Sequence, residues 1–130
     1  MRDIHNNIAV ENALVSATIG SNTTTTGLTI DRQGNDGLEF IVQSGTVTDG
    51  NYVLSAESGD ASDLNDAVAV DAKYILGSGS FAATDDDSVK SIGVANDGKR
   101  YARVSIVSTG VTTGGPFSAV AVQAPKSVPA

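Results

Sequence analysis

Hydrophobic and polar residues alternate along several short stretches of this chain, and that alternation predicts β-strands. The clearest stretch is "GLEFIVQS" (37–44), which places Leu38, Phe40 and Val42 on one face with polar or solvent-facing residues between them. Residues 51–58 alternate in the same way, and a short Asp-Gly loop separates the two stretches. Alternating runs joined by such a loop are typical of an antiparallel hairpin, so we predict that these two strands pair.

A second hairpin is predicted further along the chain. Its arms are "SVKSIGVA" (88–95) and "RYARVSIVS" (100–108), and its turn is built on Asn-Asp-Gly at 96–98. Three further strand regions follow from β-branched residues and alternation: 8–18 as a long edge strand, 23–31 with four threonines followed by Leu28 and Ile30, and 114–124 with Pro116 at its start.

The stretch "GDASDLNDAVAVDAKYILG" (59–77) is the least regular part of the chain. Ser62 could cap a short helical turn. Alternatively, "AVAV" within the stretch forms a strand. We favour a helical turn followed by a strand at 73–76, with three apolar residues of the turn facing inward: Leu64, Ala67 and Val68.

About eight short strands, without a sustained helix, predict an all-β single-domain fold, an antiparallel β-sandwich or jelly roll. We divide the chain into a polar N-terminal arm (1–7), the sandwich domain (8–124) and a C-terminal tail (125–130) that is too rich in proline to extend the last strand. The aromatic residues of the strands are assigned to the core: Phe40, Tyr52, Phe81 and Phe117.

The composition of the chain narrows the range of functions and partners that it can have. The net charge of −7 disfavours a nucleic-acid or anionic-membrane partner, because both require clustered basic residues. The chain has no cysteine, so disulfides and thiolate sites are excluded. No signal peptide is recognisable at the N-terminus and no stretch approaches the length of a membrane span, so we expect synthesis in a cytoplasm.

Acidic clusters and the single histidine are the main candidates for chemistry. The cluster 85–87 could hold a cation, but it lacks the spacing of an EF-hand loop, and a solvated turn is the better interpretation. The single histidine, His5, lies in the polar leader without a serine motif. We therefore expect no enzyme, no cofactor and no metal. The looser string of acids is interpreted as loop hydrogen bonding: Asp60, Asp63, Asp66 and Asp71.

The stretch "DRQGNDG" (31–37) raises the same choice between a site and a loop. Its two glycines and its Asn-Asp pair are ordinary turn residues, and it contains no nucleophile or phosphate-binding pattern. We interpret it as a loop that leads into a core strand. Arg32 could pair with Asp31 or Asp36, or could point outward.

Nearly the whole chain resembles the capsid decoration, or cement, proteins of tailed bacteriophages. The resemblance rests on these stretches: "MRDIHNNIAVENAL", "IDRQGNDGLEFIVQSG", "GDASDL", "LG…FAATDDD", "IGVANDGKRYARVSI" and "GGPFSAVAVQAP". It implies a β-sandwich that binds the major capsid protein on the outer surface of the mature head, as a homodimer or homotrimer. The residues expected to contact the capsid are first Arg2, Asp3, His5, Asn6 and Asn7 of the leader, and second Arg32, Asn35 and Asp36.

Two other interpretations stay open. The chain could be another virion component, such as a head-fibre or tail-associated subunit that binds the host surface through the threonine-rich stretch 23–26 and the loop 108–115. It could also be an enzyme or a calcium-dependent binding module that uses the acids at 85–87.

Overall fold

The computed structural model describes residues 5–33, 35–77, 79–95 and 97–125. Short 3₁₀ turns cover His5–Asn7 and Ala72–Tyr74. The strands are β1 (Ala9–Ile19), β2 (Thr24–Thr26), β3 (Ile30–Asp31), β4 (Asn35–Ser44), β5 (Asn51–Gly59), β6 (Val68–Ala69), β7 (Ile75–Leu76), β8 (Ser80–Phe81), β9 (Val89–Val94), β10 (Tyr101–Thr109) and β11 (Gly115–Pro125).

The strands form two antiparallel sheets, which confirms the predicted all-β sandwich. Sheet A has five strands in the order β1-β11-β4-β9-β7. Sheet B has six, with β2-β10-β5-β6 in order, β3 beside β10 and β8 beside β5. The described chain has eleven strands rather than about eight, because five short pairings of two or three residues complete the sheets. These short strands lack a readable alternation.

The core lies between the sheets and contains the side chains that the alternation assigned to it. Leu38, Phe40 and Val42 are buried on β4. Between the sheets, the ring centroids of Tyr52 on β5 and Phe117 on β11 lie 4.5 Å apart. Phe81 completes this aromatic group, at 5.2 Å from Phe117 in an edge-on geometry.

The first predicted hairpin is wrong. β4 pairs with β11 and β9 in sheet A, whereas β5 pairs with β10 in sheet B, so the connection 45–50 crosses between sheets. The Asp-Gly pair in it does not close a two-strand turn. The Asp49 carboxylate instead accepts hydrogen bonds from the backbone N–H groups of Thr112, Thr113 and Gly114, at 3.1, 3.1 and 2.8 Å. Asp49 therefore joins two loops at one end of the sandwich.

The second predicted hairpin fails for the same reason. β9 belongs to sheet A and β10 to sheet B, so the two arms do not pair with each other; residue 96 of the predicted turn lies outside the described residues. Each arm buries one apolar face. A strand with one buried face can pair with the next strand in the same sheet, or the two strands can lie in different sheets and stack across the core. The alternation alone could not distinguish these arrangements.

Of the other predicted strands, some are confirmed and some are wrong. β1 is an edge strand of sheet A and β11 begins beside Pro116, as expected. The threonine region forms two short strands with Leu28 exposed between them, so the predicted continuous alternation is wrong there. In 59–77, Leu64 is buried as predicted, but Val68 is exposed on β6, which corresponds to the strand alternative. The predicted strand at 73–76 is confirmed only for Ile75–Leu76.

Candidate interaction surfaces

The described residues of the predicted leader and loop lie at the same end of the sandwich, here called the leader end. β1 begins opposite the end of β11, with Ala9 paired to Gln123. β4 also begins opposite the end of β11, with Asn35 paired to Pro125. The last residues of β9 and the first of β10 lie at this end too, since Val94 pairs with Leu38 and the backbone N–H of Arg32 donates to the carbonyl of Arg100.

Charged pairs concentrate at the leader end. Among the described residues, four of the ion pairs lie there: Arg32–Asp97, Lys99–Asp60, Arg100–Asp31 and Arg103–Glu57. The Asp31 carboxylate accepts from Nε and Nη2 of Arg100 at 3.0 and 2.9 Å. The bond from Arg100, with a further bond from the N–H of Gln33, lowers the pKa of Asp31, and the bond to Asp31 raises the pKa of Arg100.

Arg32 occupies a different position from the one that the sequence indicated. Its Nη1 lies 3.2 Å from Asp97 Oδ1, and these two side chains are only 4% and 7% exposed. Its Nη2 donates to the carbonyl oxygens of Val94 and Ala95 at 3.4 and 3.1 Å. Burial lowers the pKa of Arg32, an effect that Asp97 opposes. Of the alternatives that the sequence left open for Arg32, pairing with Asp31 does not occur, because Asp31 pairs with Arg100, and the side chain of Asp36 lies outside the described part.

Asp97 links this buried pair to sheet B. Its Oδ2 accepts from the hydroxyl of Ser58 at 2.6 Å, and its Oδ1 accepts from the backbone N–H of Lys99 at 3.0 Å. One carboxylate therefore connects the loop before β4, the end of β5 and the crossing between the sheets. Sequence analysis assigned Asp97 only to a turn, because nothing in "NDG" reports a partner 65 residues away.

The predicted contact residues are only partly described. Arg2 and Asp3 lie outside the described residues, as do the side chains of Asn6, Asn35 and Asp36. His5 is exposed and Asn7 is partly buried. Arg32 is buried, so its side chain is held inside the fold rather than presented to a partner. The contact role of the leader stays a prediction, and the structure adds that the loop starting at Arg32 shares its end of the sandwich.

The acids at 85–87 lie at the opposite end and bond to the chain itself. Asp85 Oδ2 accepts from the N–H of Ala82 at 2.7 Å, and Asp86 Oδ1 accepts from the N–H of Val47 at 2.8 Å. Within the described residues, no group of three or more His, Cys, Asp or Glu side chains could hold a metal ion. These carboxylates fix loops, which is more than the solvated turn that the sequence indicated.

The looser acidic string forms the local hydrogen bonds that its composition predicted. Asp66 accepts from the N–H groups of Asp60 and Ala61 at 3.0 and 3.2 Å, and the bond from Asp60 is the main cause of the lowered pKa of Asp66. Asp63 and Asp71 each accept from the N–H two residues later, at 3.0 and 3.2 Å.

Part of the outer surface of sheet A is apolar. We define the apolar face by two rows of side chains that cross the strands, each row following the register of the pairs. The two most exposed members are Val10 at 58% and Leu76 at 59%. The first row is Val10, Val122, Glu39, Gly93 and Leu76, and the second is Asn12, Val120, Ile41 and Ser91.

A shallow hollow of about 280 Å³ lies on the apolar face near the leader end. Gly37 forms part of it, and Val122, Leu76 and Ile8 form its sides. A Cβ atom at Gly93 would come within 2.7 Å of Glu39 Oε1 and 3.1 Å of Leu76 Cβ, so these two side chains cover the glycine.

The outer surface of sheet B differs in character. The Arg103–Glu57 pair crosses β10 and β5 at 3.1 Å, and Ser105 donates to the same carboxylate at 3.2 Å. Thr24 and Thr26 of β2 are exposed beside it. This surface is therefore polar apart from a Val53–Val107 cross-strand pair.

Solved structures with a similar fold include phage-derived and viral proteins. The PBSX exported protein XepA matches with a TM-score of 0.62 at 16% identity, over 94% of this chain and 39% of XepA. The SPBc2 prophage-derived protein YomS matches with a TM-score of 0.51 at 12% identity, over 89% of this chain and 93% of YomS. A structure of infectious bursal disease virus, Gx strain, matches with a TM-score of 0.50 at 15% identity, over 92% of this chain and 33% of that chain.

These identities establish the fold and nothing finer. This chain spans well under half of the length of XepA. No protein-family model and no curated protein sequence matches the chain, so the comparisons point to no particular decoration family. Among the described residues, no helix is long and apolar enough to cross a membrane.

Proposed function

We propose that this chain is a structural protein of a phage virion that decorates the outside of the mature head and stabilises it by binding the major capsid protein. The observation that carries the proposal is the similarity in fold to a PBSX protein and to a prophage-derived protein over about nine-tenths of this chain. The resemblance of the sequence to cement proteins supports the same role, in which the chain catalyses no reaction and needs no cofactor.

The leader end is the surface that we assign to the capsid. The predicted contact segments, 5–7 and 31–37, approach the same end of the sandwich, so a single surface can present both. Three ion pairs that involve loop residues fix the surface there, and a preformed surface loses less conformational entropy on binding than a mobile one.

The stabilising mechanism is preferential binding to one state of the lattice. A protein that binds the expanded shell and not its precursor shifts the equilibrium towards the expanded shell by its difference in affinity. Because many copies bind each head, small free energies per site add up. The interface needed at each site is of ordinary size, about 800 Å² per partner.

Co-sedimentation tests this proposal. The purified chain is mixed with expanded heads of its phage and, separately, with unexpanded procapsids, and the bound fraction is measured across a concentration series. We expect saturable binding to expanded heads at a fixed ratio to capsid protein, with little binding to procapsids. Deletion of residues 1–7 should remove the binding.

The matched control changes the opposite end of the sandwich. Thr112 is exposed in the loop between β10 and β11, far from the leader end, so Thr112→Lys should bind heads as the parent chain does. Failure of the parent chain to bind either particle would contradict the decoration role. Equal binding by the deletion variant would contradict the assignment of the leader.

A second candidate function is favoured by the outer surface of sheet B. Its exposed threonines, and the hydroxyl-rich loop 108–115 that follows β10, offer polar groups suited to a host-surface ligand. A head-fibre or tail-associated subunit would use such a surface. Binding of the labelled chain to host cells, without binding to heads, would select this function.

A further inference from the structure

We propose that the edge of β1 next to the leader accepts an extended segment of the major capsid protein, which adds to sheet A as a further strand. This inference rests on the proposed function and names how the leader end would hold its partner. We define the free edge as residues 9–12, the part of β1 that precedes the first irregularity in its pairing with β11.

The free edge lies at the margin of sheet A. β1 is the outermost strand of this sheet, and among the described strands it pairs only with β11. On its other side, the described residues form one backbone hydrogen bond with β1, from the N–H of Leu28 to the carbonyl oxygen of Ala13 at 2.7 Å. That bond lies beyond residue 12, so the free edge presents unpaired backbone groups, which are a template for another strand.

The hydrogen bonds of the sheet determine which of these groups point outward. The N–H of Gly45 donates to the carbonyl oxygen of Pro116, one step beyond the last pair of β4 and β11. Because bonded and non-bonded pairs alternate in an antiparallel ladder, the even-numbered residues of β11 bond to β4 and the odd-numbered ones to β1. The residues of the free edge opposite odd-numbered positions are 9 and 11. Val10 and Asn12 therefore each direct an N–H and a C=O away from the sheet.

The free edge is open on both faces. All four of its residues are exposed, with Val10 at 58%. A strand covered by a second sheet would bury every second side chain, so sheet B does not cover this part of β1. Natural edge strands are commonly protected by lysine, proline or a short length, whereas the free edge has neither residue and β1 is eleven residues long.

The side chains of the free edge indicate the chemistry of the added segment. Val10 lies beside Val122 on the outer face of sheet A, and Glu11 lies opposite Ala121 on the inner face. A segment with an apolar residue level with Val10 and a lysine or arginine level with Glu11 would extend the apolar row and compensate the carboxylate. The net charge of −7 also favours a basic segment over a second copy of this chain.

Hydrogen–deuterium exchange tests this inference without changing the chain. Exchange is measured at single residues for the parent chain alone and bound to expanded heads. The amide of Glu11 bonds to β11, so its exchange should be slow in both states. The amides of Val10 and Asn12 should exchange fast in the free chain and slow by about tenfold or more on heads, because they gain carbonyl partners.

A matched pair of proline substitutions gives the second measurement. Val10→Pro removes an N–H that β11 does not use and places a ring at the free edge, so sheet A should stay intact while binding to heads weakens by about tenfold or more. Thr18 lies on the same strand opposite Pro116, an even-numbered position, so its N–H also points outward, at the far end. Thr18→Pro should therefore bind heads within about twofold of the parent chain. Thermal melting followed by circular dichroism checks that both variants fold, and the exchange experiment decides alone if Val10→Pro does not.

The outcomes separate this inference from the decoration role. Binding of the parent chain to heads without slowed exchange at Val10 and Asn12 would overturn the inference and leave the decoration role standing, as would equal binding by a folded Val10→Pro variant. Failure of the parent chain to bind heads would overturn both. Exchange at these two amides that slows in the free chain as its concentration rises would show that a second copy occupies the edge, which also overturns the inference.

Discussion

Replacing Arg32 by methionine should destabilise this protein more than any loss of a surface ion pair. The substitution keeps the length and apolar part of the side chain and removes its charge. It leaves the Asp97 carboxylate, whose side chain is 7% exposed, without its cation. The carbonyl oxygens of Val94 and Ala95 also lose their donor.

The expected magnitude follows from the burial. Removing one partner of a buried ion pair costs about 3–5 kcal/mol, because the remaining charge stays desolvated. Asp97 keeps two hydrogen bonds, from Ser58 and from the N–H of Lys99, so we expect the lower value, about 3 kcal/mol. With an unfolding entropy of roughly 2.1 cal/mol/K per residue, a chain of this length should lose about 11 °C in melting temperature.

The adjacent ion pair supplies the control. Arg100 and Asp31 lie 2.9 Å apart, closer than Arg32 and Asp97, but their side chains are 45% and 44% exposed. Arg100→Met should therefore cost no more than about 1 kcal/mol, since exposed pairs are worth little. Urea unfolding followed by far-ultraviolet circular dichroism measures both variants.

Two results decide whether the reasoning is right. Adding Asp97→Asn to Arg32→Met should recover part of the lost stability, because it removes the uncompensated charge. Equal destabilisation by Arg32→Met and Arg100→Met would refute the argument from burial, and a double variant no more stable than Arg32→Met would refute the argument from the stranded carboxylate.

Two further predictions concern the end opposite the leader and the connecting loops. Asp49→Asn should lower the free energy of unfolding at pH 7. The N–H groups of Gly114, Thr112 and Thr113 lower the pKa of the Asp49 carboxyl in the folded chain. The contribution of Asp49 to stability is therefore complete above the ordinary pKa of about 3.9 and is lost as the pH falls through the lowered pKa. Urea unfolding at pH 7, 5 and 3 should show the gap to the parent chain narrowing only at pH 3, and a constant gap would contradict this. Gly114→Ala should be far more destabilising than Gly98→Ala. Both glycines have positive φ, +75° and +82°, so the backbone strain of the two substitutions is similar. A Cβ atom at Gly114 would collide with the carbonyl of Ile19, whereas a Cβ atom at Gly98 would meet nothing within 4 Å. Equal melting temperatures of the two variants would contradict this reasoning, because they would show that backbone strain alone sets the loss of stability.

Strands could be predicted from this sequence, but their partners could not. Alternation located the buried face of β4 and of β5 because a period of two requires only local information. Whether two such strands pair or stack depends on which other strands satisfy their edges, and β11 and β10 take those positions from distant parts of the chain. The Asp-Gly pairs, which normally indicate hairpins, serve here in crossings between the sheets.

The candidate surfaces were predictable to different degrees. The leader and the loop residues Arg32, Asn35 and Asp36 were expected as contacts from the resemblance, and only the register of β1 and β4 against β11 places them at one end. The sequence left open whether Arg32 pairs with a neighbouring acid or points outward, because its actual partner, Asp97, is 65 residues away. The apolar face had no signal in any single strand, since it consists of one or two side chains from each of five strands.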